Sequence, residues 1–218
     1  MTENLFRVRI SGALACFSRP EFSTERVSYE IITPSAARGV LEAILWKPAI
    51  RWEARRISVL NEIRWMEFRR NEVNSRVPTR DAGTSARTGE PLRDFYAAED
   101  RAQRNTVALR EVDYLIEAEM HLTARAGEGE NLTKFREIFL RRIEKGQQHY
   151  QPYLGCREFP ARVELAPPEL KPIPESRELG WMLHDLDFGP KIQARFFPAQ
   201  MVAGVVEIPA WNAQGGAA

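Results

Sequence analysis

Cys16 and Cys156 are the only cysteines in 218 residues, so neither a disulfide framework nor a multi-cysteine zinc site is available. Histidine is almost as scarce. His121, His149 and His184 lie far apart, with no HExxH or CxxC spacing to hold a metal. His184-Asp185-Leu186-Asp187 reads as alternating strand side chains rather than a cation site. Walker, GxGxxG and GxSxG motifs are absent, which removes support for nucleoside triphosphates, dinucleotides and serine hydrolase chemistry. No metal or cofactor is therefore expected. No run of eighteen apolar residues occurs, so a helical membrane span is excluded and no membrane partner is expected. The opening MTENLFRVRI lacks the charged start and apolar stretch of a signal peptide. A reducing, cytoplasmic setting is the expectation.

Lysine is also rare: it supplies five of the 31 cationic side chains, and arginine the rest. Arginine offers a planar fork suited to phosphate, where lysine offers a point charge. The codon bias of a GC-rich genome explains the excess equally well. The net charge of +1 argues for no polyanionic partner, but its distribution is uneven. Residues 1–163 hold 27 Lys and Arg against 23 Asp and Glu, whereas 164–218 hold 4 against 7. A hydrophobic content of 44% suffices for the core of one domain, with or without a small appendage.

Periodicity orders the chain. LFRVRIS (5–11) alternates Phe6, Val8 and Ile10 with Arg7 and Arg9, as a half-buried strand does. Thr33-Pro34 opens a helix to about Trp46, with Thr33 as its cap. It packs through Ala37, Val40, Leu41, Ile44 and Leu45, and Lys47-Pro48 stops it. IRWEARRISVL (50–60) is a strand with a bulge near Arg55-Arg56, where the alternation slips. From Asn61 to Arg104 the pattern dissolves into polar, arginine-rich sequence that reads as a projecting hairpin or arm. Residues 106–122 alternate cleanly, 131–146 have helical spacing, and REFPARVEL (157–165) is another strand.

The resulting order, βαββαβ, is that of a ferredoxin-like (RRM-like) α+β domain over residues 1–165, with an arm insertion at about 61–104. A proline-rich joint at 166–174 leads to residues 166–218, a small C-terminal antiparallel β-sheet and a loose tail.

Helix 131–146 sets Leu132, Phe135, Ile138, Phe139 and Ile143 on an apolar stripe. Lys134, Arg141 and Lys145 share one flank, placed to follow a phosphate backbone or simply to face solvent beside Glu137 and Glu144. The loop Gly146-Gln147-Gln148-His149-Tyr150 adds a group that titrates near neutrality. RNA carries its own nucleophile, the 2′-OH, so a metal-free nuclease needs a base, an acid and a cation. His149, Tyr150 and Lys134 have those chemistries. In the arm, Arg69, Arg70, Arg76, Arg80, Arg87 and Arg93 outnumber Glu72, Asp81 and Glu90, which suits single-stranded nucleic acid. Trp46, Trp52 and Trp65 are candidates for base stacking or for the core.

The runs ERVSYEIITPSAARGVLEAILWKPAIRW (25–52), RRNEV (69–73) and KGQQHYQPYLGCREF (145–159) resemble the CRISPR-associated Cas-five family of the RAMP superfamily, in its type I-C (Dvulg) branch. The resemblance implies an RRM-like domain followed by a small β-domain. It also implies a metal-independent endoribonuclease that cuts the CRISPR repeat transcript at the base of its hairpin through the 2′-OH and retains the 5′ handle. Such a subunit then caps the surveillance complex Cascade, so the implied partners are crRNA or pre-crRNA, the backbone subunit, the large subunit and, further, target DNA.

That branch is associated with a catalytic Tyr, Lys and His. The tyrosine position is Leu45 here, and the Lys-His pair is Lys134-Phe135, so only the lysine matches. His149, Tyr150 and Tyr29 are the remaining candidates in the matched runs, and Lys134 with His149 is the expected catalytic pair. Handle binding is expected from Arg26, Ser28, Arg38 and Lys47 around the first helix and from Arg69, Arg70 and Asn71 at the base of the arm. The alternative is a subunit that binds the handle without cutting it.

Overall fold

The computed structural model describes residues 4–22, 24–75, 79–89, 96–188 and 191–211. Its elements in chain order begin with strands β1 (Leu5–Ala15) and β2 (Arg26–Val27), helix α1 (Pro34–Ile44) and strands β3 (Ile50–Val59) and β4 (Arg64–Val73). Helix α2 (Thr79–Thr88), strand β5 (Arg101–Leu122), helix α3 (Leu132–Glu144) and strand β6 (Arg162–Leu165) follow. Strands β7 (Arg177–Asp187), β8 (Gln193–Met201) and β9 (Val205–Glu207) complete the described chain. The protein is a mixed α/β molecule built on a mostly antiparallel sheet. No helix of the described residues is long and apolar enough to cross a membrane.

The main sheet runs β6-β1-β5-β3-β9, and neighbours along this path are antiparallel. Alternation explains its centre. Val8 faces Ile116 and Ile10 faces Tyr114 across β1 and β5, and all four are buried. The intervening Arg9 turns to the other face, where it pairs with Asp113 at 2.6 Å and Glu164 at 3.1 Å. On the core side Phe6, Trp52 and Phe139 pack with ring centroids 4.5–5.1 Å apart, which ties β1, β3 and α3 together.

Helix α1 starts as expected: Thr33 Oγ1 accepts the Ala36 N–H at 3.2 Å, and Pro34 occupies the first turn. It ends at Ile44, two residues before the expected Trp46. Leu45 is already extended, and its carbonyl accepts the Trp52 indole N–H at 3.0 Å, which fixes the exit of the helix. The register of β3 against β5 shifts between Ala54 and Arg56, where the sequence lost its alternation.

The arm is a hairpin. β4 pairs with the first half of β5, from Arg64 opposite Arg110 to Val73 opposite Arg101, while the second half of β5 lies between β1 and β3. Glu111, at φ 53, stands between the two halves. Helix α2 lies in the segment that joins the two strands of this hairpin, and it was not expected. It is polar and mostly exposed, so it has no apolar stripe to announce it. Arg76, Glu90 and Arg93 lie outside the described residues, as does the side chain of Asp81.

Two boundaries need correction. The strand expected over 157–165 forms only at Arg162–Leu165, because residues 154–160 close a turn of their own. In it Leu154 N–H donates to the Phe159 carbonyl at 2.8 Å and Phe159 N–H to the Cys156 carbonyl at 3.0 Å. The expected C-terminal sheet has two strands, β7 and β8. The third segment, β9, instead extends the main sheet at β3, where Val206 is fully buried and Arg56 pairs with Glu207 at 2.7 Å. Leu179, Met182, Phe197, Ala199 and Met201 of the β7–β8 hairpin share one buried core with the main sheet.

Candidate functional site

Helix α3 is held by its apolar stripe. Phe135 and Phe139 are buried, Leu132, Ile138 and Ile143 pack against the core, and the opposite face is left to Lys134, Arg141 and Lys145. Asn131 caps the helix, its Oδ1 accepting the Lys134 N–H at 2.9 Å. Lys134 therefore stands exposed in the first turn, near the end of the helix that carries partial positive charge. At the other end Gly146 adopts φ 62, and Gln147 N–H returns to the Arg142 carbonyl at 2.7 Å.

This turn docks the following loop on the last carbonyls of α1. Arg142 Nη1 donates to the Ile44 carbonyl at 2.6 Å, and the His149 and Tyr150 N–H groups both reach the Ala43 carbonyl, at 2.8 and 3.3 Å. The loop backbone thus completes a helix end, while the rings of His149 and Tyr150 remain exposed, edge to face, 5.7 Å apart. Partial burial pushes the Tyr150 phenol up. Tyr153 and Glu42 reinforce that shift, and Arg38 and Arg157 oppose it. The phenol keeps its proton at neutral pH and can donate it. Lys134 is eight residues before Arg142, about 12 Å along the axis, so lysine and loop occupy different ends of α3.

The other expected contacts divide sharply. Ser28 is a correction: it is buried, and its hydroxyl donates to the Tyr29 carbonyl at 2.7 Å and accepts the Phe17 N–H at 3.0 Å. Its hydroxyl is spent within the fold and offers nothing to a ligand. Tyr29 is likewise buried, with Arg19 4.4 Å above its ring. Arg38 pairs with Glu42 at 2.7 Å and Asp185 at 2.5 Å. Arg26 pairs with Glu72 at 3.2 Å and Glu158 at 3.1 Å, and Arg70 shares the same two carboxylates. By contrast Lys47, Arg69, Lys134, Arg141 and Lys145 are exposed and, among the described residues, have no carboxylate within ion-pair distance. Asn71 is exposed on the same arm face as Arg69.

The tryptophans also separate. Trp52 is core, whereas Trp46 and Trp65 are exposed by 52% and 42%, enough to accept a stacked ring. Trp46 borders a cavity of about 480 Å³ between α1, β3 and the β7–β8 hairpin, with Arg51, Glu53, His184, Phe188 and Trp211 around it. Sequence reasoning missed this cavity, because its walls come from four distant segments and no local pattern links them.

Leu45 and Phe135, which stand where the resemblance implies a tyrosine and a histidine, are both core side chains, exposed by 0% and 2%. The Leu45 backbone braces Trp52, and Phe135 anchors α3. Of the residues in the two matched positions and the adjoining lysine, only Lys134 presents a functional group to solvent.

Comparison with known proteins bears on what such a surface serves. Residues 6–209 match the model of a family described as CRISPR-associated protein (Cas_Cas5). The chain is 44% identical over 220 residues to the CRISPR pre-crRNA endoribonuclease Cas5d of Mannheimia succiniciproducens, covering 97% of each chain. It is 45% identical over 185 residues to the protein of that name from Thermus thermophilus, covering 84% of this chain and 73% of that one. A crystal structure of a CRISPR-associated protein superposes with a TM-score of 0.70 at 22% identity, over 95% of this chain and 93% of that one. A functionally uncharacterized protein from Streptococcus mutans gives 0.67 at 19%, over 94% and 92%. Both likenesses concern the fold.

Proposed function

The chain belongs to the CRISPR-associated Cas5 family, and we propose that it is a metal-independent endoribonuclease that cuts the CRISPR repeat transcript at the base of its hairpin. In this reading it keeps the 5′ handle and caps the type I-C Cascade complex beside the backbone and large subunits. The observation that carries the reading is the 44% identity, over nearly the whole of both chains, to a protein named a pre-crRNA endoribonuclease. The sheet order β6-β1-β5-β3, with α1 and α3 as the two connections, supports a ferredoxin-like body through residue 165.

The exposed groups suit cleavage by the 2′-OH. An imidazole such as His149 can take the 2′ proton, and the protonated Tyr150 phenol can donate to the leaving 5′-oxygen. Lys134 supplies a fixed ammonium for the charge that builds on the phosphate. Because Lys134 and the loop lie at different ends of α3, these exposed side chains would serve one scissile phosphate only where bound RNA draws them together over the helix. Arg141 and Lys145, exposed on the same flank, supply phosphate contacts on that path. Lys47, Arg69 and Asn71 extend the grip, and Arg26, Arg38 and Arg70 shape the surface through their ion pairs.

A second reading is favoured by one observation. Leu45 and Phe135 are core residues that offer no acid or base where the branch is associated with a tyrosine and a histidine, which favours a cap that binds the handle uncut. One assay separates the two: the purified protein is incubated with its own repeat RNA in EDTA. A single cut at the hairpin base, abolished by 2′-deoxy substitution at that nucleotide and slowed roughly 10- to 100-fold by Lys134→Ala with little loss of binding, supports the nuclease. Tight binding with no cut establishes the cap.

A further inference from the structure

Cys156 lies where three segments meet. The residue after β1, Cys16, donates its N–H to the Leu154 carbonyl at 3.0 Å, bringing that end of the sheet against the 154–160 turn. Gly155 adopts φ 81, and a Cβ there would stand 2.0 Å from the Cys16 carbonyl oxygen, so only glycine permits the approach. The close backbone contact brings the Cys156 side chain against the Cys16 backbone. Cys156 Sγ lies 3.7 Å from the Cys16 carbonyl oxygen, within reach of a hydrogen bond to it, and Cys16 Sγ lies 3.7 Å from the Ser18 hydroxyl. From β2, Arg26 Nη1 comes within 3.5 Å of Cys156 Sγ. Cys16 is wholly buried and Cys156 is partly exposed.

The facing groups decide which sulfur carries charge. The neighbouring Cys16 thiol and the Arg26 guanidinium favour the Cys156 thiolate, against burial and the Glu158 carboxylate, and hold this thiol below its usual range. The neighbouring Cys156 sulfur and burial push Cys16 up, with Ser18 opposing. An ionised, accessible sulfur beside a protonated, shielded one is the arrangement of an attacking and a resolving cysteine. RNA cleavage by the 2′-OH has no use for either.

We infer that Cys156 is a peroxide-reactive modification site and that Cys16 resolves it to an intrachain disulfide. The Cys156 thiolate attacks one oxygen of hydrogen peroxide, the O–O bond breaks, and the departing hydroxide takes a proton to become water, leaving a sulfenic acid. Cys16 then loses its proton and attacks the Cys156 sulfur. The S–O bond breaks, hydroxide leaves with that proton as a second water, and the S–S bond forms. Two thiols are oxidised and one peroxide is reduced. Arg26 loses an anionic neighbour and keeps Glu72 and Glu158.

The test uses the purified full-length chain and hydrogen peroxide as the probe. Thiols counted in denaturant should fall from two to none, return on reduction, and leave a monomer lighter by two hydrogens. Cys16→Ser should instead gain one oxygen and be trapped by dimedone, and Cys156→Ser should be inert. Iodoacetamide labelling of the native protein should reach half its maximum below the pH at which an ordinary thiol does, and move to higher pH in Arg26→Gln. Two surviving thiols, a disulfide between chains, or a Cys156→Ser variant that reacts as fast as the unaltered protein overturns the inference. The thiol count on the unaltered protein decides even if a variant fails to fold.

Discussion

The base of the arm and the outer flank of α3 carry the same kind of side chain and use it in opposite ways. Arg26, Arg70 and Arg104 gather around Glu72, with Glu158 also pairing to the first two. Lys134, Arg141 and Lys145 meet no carboxylate among the described residues, although Glu137 and Glu144 share their helix. Backbone geometry accounts for part of the difference. In the arm, alternation puts Phe68, Arg70 and Glu72 on one inward face, where β2 and the 154–160 turn bring further charges. On α3 the buried stripe turns these cations outward, where they are exposed among the described residues. A cation count therefore overstates the positive surface at the arm and not at the helix.

Removing what orients α3 should have the largest effect. Phe135→Ala should cost about 3–5 kcal/mol, since the ring is buried in the core and Lys134 depends on that anchor for its place. Urea unfolding measures it, and a loss below about 1 kcal/mol would mean that the helix is positioned by something else.

The comparison itself is broken most directly by pairing two arginines. Arg141→Ala should weaken RNA binding and reduce the salt dependence of affinity by about one counterion, with stability nearly unchanged. Arg70→Ala should do the reverse: a loss of about 1 kcal/mol or less, discounted for its surface position, and little change in the salt slope. Equal salt slopes for the two variants would show that the ion pairs at the arm open to bind RNA.

The smallest effect on folding should come from deleting residues 74–100. Val73 and Arg101 are already paired across the hairpin, and Asn74 N–H donates to the Asp100 carbonyl at 2.9 Å, so a short turn can close the gap. The described part of that segment buries almost no apolar surface. The thermal midpoint should move by about 4 °C or less, the equivalent of about 1 kcal/mol in a chain of this size. RNA binding or assembly should weaken instead. Unfolding on deletion would make the arm part of the core.

Much of the fold was legible along the chain because its signals are local. The alternation of Phe6, Val8 and Ile10, the Thr33-Pro34 cap, the stripe of α3 and the slipped register at Arg55-Arg56 each span a few residues. The misreadings have physical causes of the same kind. Helix α2 has no apolar face, the 154–160 turn depends on a glycine pressed against another segment, and β9 joins β3 because that edge was open.

The candidate site was legible only in part. Periodicity placed Lys134, Arg141 and Lys145 on a solvent flank, and the family resemblance singled out Lys134 among them. The sequence by itself thus determined which elements form and which of their faces are apolar. Only the tertiary structure decided which polar groups remain available. Arg38 is taken by Asp185, 147 positions away, Arg26 by Glu158, 132 away, and the hydroxyl of Ser28 by Phe17 and Tyr29. Hydrogen bonds and ion pairs act over a few ångströms in space, whatever the distance along the chain, and so they escape any pattern read residue by residue.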